Sequence, residues 1–115
     1  MGVQADDTGP NGVTVDELTE KMLPFVEQLL RRIDGEEFTT NDFIALMLPV
    51  PETAAAYEAG IRAWGENRRQ SKMVLHGQII PGALRKSEMV QWNGFAHGEA
   101  DEFSVPAWWC VKRSS

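Results

Sequence analysis

Residues 71–111 decide the fold reading. They divide into SKMVLHGQIIPGALRKS (71–87), EMVQWNG (88–94), FAHGEADE (95–102) and FSVPAWWCV (103–111). The first piece has helical character, with Met73, Gly77, Ile80 and Leu84 along one side and Gln78 and Arg85 opposite; Lys72, His76 and Lys86 lie on a flank. Pro81-Gly82 comes late in it, so a kink or an early end is expected there. The second piece reads as a strand from Met89 to Trp92. Asn93-Gly94 is the strongest hairpin dipeptide of the chain, yet the polar run to Glu102 lets the turn fall later, near Gly98. In the last piece Phe103, Val105, Ala107 and Trp109 alternate towards one face, and Pro106 makes it an edge strand or interrupts its pairing. The order is helix, strand, glycine-bearing loop, strand.

The rest of the chain supplies a helical base. Thr14-Val15-Asp16-Glu17 has capping-box form, and Val15, Leu18, Met22, Phe25, Val26, Leu29, Leu30 and Ile33 follow at helical spacing. Pro24 inside this run predicts a kink, or two shorter helices meeting near Leu23. Gly35 suits the C-cap. Glu37-Phe38-Thr39 is one short ladder strand. Thr40 or Asn41 then caps a second helix carrying Phe43, Ile44, Leu46 and Met47, stopped by Pro49 and Pro51. A third helix starts after Pro51, with Ala54, Tyr57, Ile61 and Trp64 on one face, and Gly65 and Asn67 close it. Residues 1–13 have no periodic apolar residues and predict a disordered leader.

The 115 residues fit one domain, and 43% hydrophobic with 24% charged residues is ordinary globular composition. No apolar run reaches the ~18 residues of a membrane span, and the first residues lack signal-peptide character, so no membrane partner is expected. One cysteine, Cys110, excludes an intrachain disulfide and a cysteine-rich zinc site; it points to a reducing compartment, most simply bacterial or phage cytoplasm.

Net charge is −6, but unevenly spread. Residues 1–42 carry ten acids against three bases, a net of −7, whereas residues 62–87 carry six bases against one acid, a net of +5. An acidic base therefore meets a basic helical segment.

Taken together, the long first helix running into Ile33-Asp34-Gly35-Glu36, the Phe38-Thr39-Thr40 turn, Asp42-Phe43-Ile44, the junction Leu84-Arg85-Lys86-Ser87-Glu88-Met89-Val90 and the closing Trp108-Trp109 resemble the winged-helix superfamily. The closest likeness is to the N-terminal winged helix of restriction-system proteins. The resemblance covers roughly residues 15–111. It implies an α+β, mainly helical fold: a winged helix of three to four helices followed by a C-terminal β-hairpin wing, as a single domain over 14–111 with a tail at 112–115. Residues 52–66 depart from it as an extra helix. So does the wing tip, which carries Glu99, Asp101 and Glu102 where a DNA-contacting wing offers Lys or Arg.

The resemblance makes 71–86 the recognition helix of a small DNA-binding protein, a transcriptional regulator or a DNA-recognition subunit. Lys72, His76, Gln78 and Arg85 would face the major groove of double-stranded DNA, with Arg68, Arg69 and Lys86 on the backbone. Arg85 and Lys86 equally suit the helix C-terminal dipole. The alternative is a winged helix used as a protein-interaction module, its acidic wing and an exposed tryptophan meeting a protein partner or a second copy. Alternation puts Trp108 and Trp109 on opposite faces, so one of them is the candidate contact. His76 and His97 lack metal-ligand spacing, and neither a metal nor another cofactor is expected. Nor is there a phosphate loop or a nucleophile elbow, and Cys110 beside two indoles is a structural thiol. The chain does not read as an enzyme.

Overall fold

The computed structural model describes residues 8–98 and 101–112. Helix α1 is Val15–Leu30, strand β1 Glu37–Thr39, α2 Thr40–Met47, α3 Pro51–Trp64 and α4 Arg68–Val74. A π-helical turn, Leu75–Ile79, joins α4 to α5, Ile80–Ser87; strands β2, Val90–Phe95, and β3, Ala107–Val111, follow. The architecture is α+β, with helices preceding a hairpin. The hairpin completes an antiparallel three-stranded sheet of order β1-β3-β2.

Helix α1 starts where the capping box places it. The Glu17 N–H donates to Thr14 Oγ1 at 3.1 Å and the Thr14 N–H to Glu17 Oε1 at 2.9 Å. Leu18, Met22, Val26, Leu29 and Leu30 form its buried stripe. Pro24 does not divide it, and the 16 residues make one helix. Pro24 lies on the exposed side, so the lost hydrogen bond is offset by burial of the opposite face.

The second capping box sits one residue before the position the sequence suggested. Thr39, not Thr40 or Asn41, caps α2: its Oγ1 accepts from the Asp42 N–H at 3.0 Å and its own N–H donates to Asp42 Oδ2 at 3.2 Å. The displaced Thr40 takes another task. Its buried hydroxyl oxygen accepts the Trp109 Nε1–H at 2.9 Å and the Ala107 N–H at 3.2 Å, tying α2 to β3.

Helix α4 begins three residues earlier than expected, because Asn67 caps it by accepting from the Gln70 N–H at 3.1 Å. Pro81 does not end the element either. The helix widens just ahead of it, and the Ile80 N–H reaches back to the Leu75 carbonyl, the five-residue spacing of a π turn. This extra residue shifts the inward stripe to Leu75, Ile79, Ile80, Ala83 and Leu84, all fully buried, and leaves Met73 47% exposed.

Asn93-Gly94 lies within β2 as an irregularity between Trp92 and Phe95, with Gly94 at φ 92°. The chain turns later, at His97-Gly98. Residues 103–106, expected to be strand, precede β3, and only 107–111 join the ladder. Trp109 pairs with Phe38 on one side and Trp92 on the other, and is fully buried at the centre of the sheet's inner face.

Residues 8–13, expected as part of a disordered leader, fold back on the end of α3; residues 1–7 and, of the expected tail, 113–115 lie outside the described residues. The Asn11 side-chain amide donates to the Arg62 and Ala63 carbonyls, both at 3.3 Å, which satisfies acceptors that a helix end leaves open. A Cβ on Gly9 would stand 2.6 Å from the Trp64 ring. Gly9→Ala is therefore expected to cost about 1–3 kcal/mol by overpacking and to free this turn from α3, which chemical denaturation and limited proteolysis of the first 14 residues would show.

Candidate interaction surface

Seven residues of the segment from Arg68 to Lys86 were expected to meet DNA, and each has a definite place. Arg68 forms a two-pronged pair with Glu58, one prong at 3.2 Å from Nη2 to Oε1. That hydrogen bond holds the Glu58 carboxyl below the usual carboxylate range and raises the Arg68 guanidinium. Arg69 lies 3.5 Å from Glu102 in the wing loop, and its guanidinium is 5.6 Å from the centre of the Phe103 ring. Lys72 stands 5.4 Å from the same ring. Arg85 lies 5.8 Å from the Trp109 ring, and Lys86 pairs with Glu20 on α1, which raises the Lys86 ammonium. Gln78 is exposed beside a shallow cleft that Gln70, Met73 and Phe103 also line.

His76 is the exception to an outward placement. It is buried, inside the π turn, and bonded at both ring nitrogens. Nε2 lies 2.7 Å from the Tyr57 hydroxyl, and Nδ1 lies 2.9 Å from Asp101 Oδ2. The second Asp101 oxygen accepts the Phe103 N–H at 2.9 Å, and the Phe103 ring meets the imidazole edge-on at 5.1 Å. An ionised Asp101 can only accept, so Nδ1 carries a proton and Nε2 is free to accept from Tyr57. The three polar groups satisfy one another away from water. The latch thereby joins α3, the π turn and the wing loop, and it turns Asp101 inwards from the wing tip.

Burial, with a smaller push from Asp101, raises the Tyr57 phenol from 10.0 to about 12. An acid whose folded value lies above its unfolded one stabilises the fold fully below the unfolded value. That contribution is lost as pH rises from about 10 to about 12. Tyr57→Phe should remove this share of the alkaline destabilisation, read as a flatter stability profile above pH 10 in urea titrations.

The wing carries one exposed apolar surface; Leu46 and Leu48 by the end of α2 and Met73 on α4 are exposed as well. Trp109 is core and Trp108 half-buried, whereas Trp92 is 41% exposed and Phe95 56%. Their rings meet edge-to-face at 5.5 Å, and His97 lies 5.9 Å beyond Phe95. Sequence alternation missed this pair. The available signal was Asn93-Gly94: a bulge between Trp92 and Phe95 breaks the period of two and lets both rings lie together. Exposed Glu36, Glu37 and Glu88 lie at the other end of the sheet, where Glu37 pairs with Cys110 and the Glu36 carbonyl accepts the Val111 N–H at 2.8 Å.

No helix among the described residues is long and apolar enough to cross a membrane. Comparison with protein-family models, curated proteins and solved structures gives no match.

Proposed function

We propose that this chain is a winged helix that works as a protein-interaction module in the cytoplasm, using its wing as the contact surface. The observation that carries this reading is the state of the basic segment. Arg68, Arg69 and Lys86 face the chain's own carboxylates, Lys72 and Arg85 lie over its own rings, and His76 is buried. Trp92 and Phe95, by contrast, are presented to solvent, and aromatic residues of this kind dominate binding energy at protein interfaces. The net charge of −6 suits a partner that offers basic residues around an apolar centre. The single unpaired cysteine supports a reducing compartment.

DNA binding is the second reading. It is favoured by the exposure of the Arg68 and Arg69 side chains, 54% and 66%, since surface ion pairs are weak and exchange readily for phosphate. Anisotropy of a labelled mixed-sequence duplex, titrated at low and moderate salt, separates the two. The interaction-module reading expects a flat titration at low salt up to high micromolar protein. Binding that weakens steeply with salt and disappears in Arg68→Ala with Arg69→Ala would sink it in favour of phosphate contact.

A further inference from the structure

Helices α1 and α3 run antiparallel. Asn11, just ahead of α1, bonds carbonyls at the C-terminal end of α3, and Met22, midway along α1, lies 3.3 Å from the Cβ position of Gly60. On their outer side runs a groove of about 670 Å³, lined by Leu18, Met22 and Phe25 from α1 and by Ala55, Ala59 and Ala63 from α3. The three alanines recur once per turn, and Ala55 and Ala59 are exposed. Over ~12 Å of helix nothing larger than a methyl group projects, so another helix can approach to the short end of the ~8–10 Å packing range. A small-molecule site would add polar groups that converge, whereas the two charged residues of this lining, Lys21 and Glu52, stand apart.

Two charged residues complete the lining, Lys21 and Glu52. Lys21 neighbours Met22 and so stands level with Gly60, while Glu52 sits in the first turn of α3, about 12 Å away along the axis. One end of the groove is cationic and the other anionic. Such a surface is matched by its own image under a two-fold rotation: an antiparallel copy exchanges the ends and brings each Lys21 to the Glu52 of the other copy. A uniformly basic or acidic helix would leave one end facing like charge.

We propose that this groove is a self-association surface, in which two copies pack α3 against α3 about a two-fold axis beside Ala56 and Ala59, closed by two Lys21–Glu52 pairs. It is separate from the wing and does not depend on what the wing binds.

The test is sedimentation equilibrium of the full chain from about 1 μM to about 1 mM, spanning the affinities of ordinary weak and strong dimers. A monomer–dimer equilibrium is expected. Lys21→Glu and Glu52→Lys should each weaken it about tenfold or more, because each places two like-charge pairs in one interface. The double reversal should return it to within a few-fold of the parent. Ala59→Arg, at an exposed position, should abolish the dimer while thermal melting at low concentration stays that of a folded chain. A monomer at every concentration overturns the proposal, whatever else fills the groove. It is overturned equally by a dimer indifferent to Ala59→Arg, or by a charge swap that fails to rescue.

Discussion

Trp109→Ala should destabilise the fold by about 3–5 kcal/mol, the range for deleting a buried aromatic ring. The side chain is fully buried, and its strand is the middle one of three. Truncation opens a cavity under the sheet's inner face and also strips the Thr40 hydroxyl of its indole donor. A domain of this size has a total stability of ~5–15 kcal/mol, so the loss is a large share of it and should lower the melting temperature on the order of 10–20 °C. Urea titration with circular dichroism measures it. Thr40→Val isolates the polar part: it keeps the ring and removes its acceptor, at a cost of about 1–3 kcal/mol. Trp92→Ala, at an exposed indole on the neighbouring strand, should stay within about 1 kcal/mol. If Trp92→Ala proved the costlier change, the assignment of Trp109 as the sheet's central plug would fail.

The second large effect is expected at the wing. Asp101→Ala removes the acceptor of the His76 ring and of the Phe103 N–H together. Each polar group left buried without a partner costs about 1–3 kcal/mol, but the loop can relieve that cost by swinging out to water. The prediction is therefore local: amide exchange at Phe103 should accelerate on the order of 10–100-fold, with α1 amides unchanged. Asp101→Asn keeps one acceptor oxygen and should fall between variant and parent. Unaltered exchange at Phe103 in Asp101→Ala would show that the latch does not hold the loop. The same opening withdraws Glu102 and Phe103 from Arg69 and Lys72. If duplex binding exists at all, Asp101→Ala should strengthen it, because the loop's carboxylate then no longer occupies the cationic face.

Local chemistry was legible in the chain and long-range pairing was not. The Thr14-Glu17 box and the late turn near Gly98 each depend on residues a few positions apart, and the structure has both; the short strand at Phe38 is also there, but its partner Trp109 is about 70 positions away. The α2 cap was legible too: the box spacing selects Thr39, three residues before Asp42, over Thr40, three before Phe43, whereas the tie of Thr40 to the distant Trp109 indole was not. Counting in steps of an α-helix points Met73 inwards, whereas the π turn adds a residue before Ile80. Pro81 was the visible warning, since a proline must be accommodated somewhere in the preceding turn. His76 gave no warning at all: its partners Tyr57 and Asp101 lie 19 and 25 positions away. The basic segment showed its charge in composition, but its pairing with Glu58, Glu102 and Glu20 required the fold.

The π turn also sets two rotational phases along one continuous rod. Relative to unbroken α geometry, everything after Ile79 is turned by about 100°, the angle one residue occupies. Substitutions in Arg68–Val74 and in Ile80–Ser87 therefore follow separate helical wheels, and a face drawn across both halves joins residues that do not share a side. The extra residue works as a splice, allowing α4 to serve the wing loop while α5 serves α1.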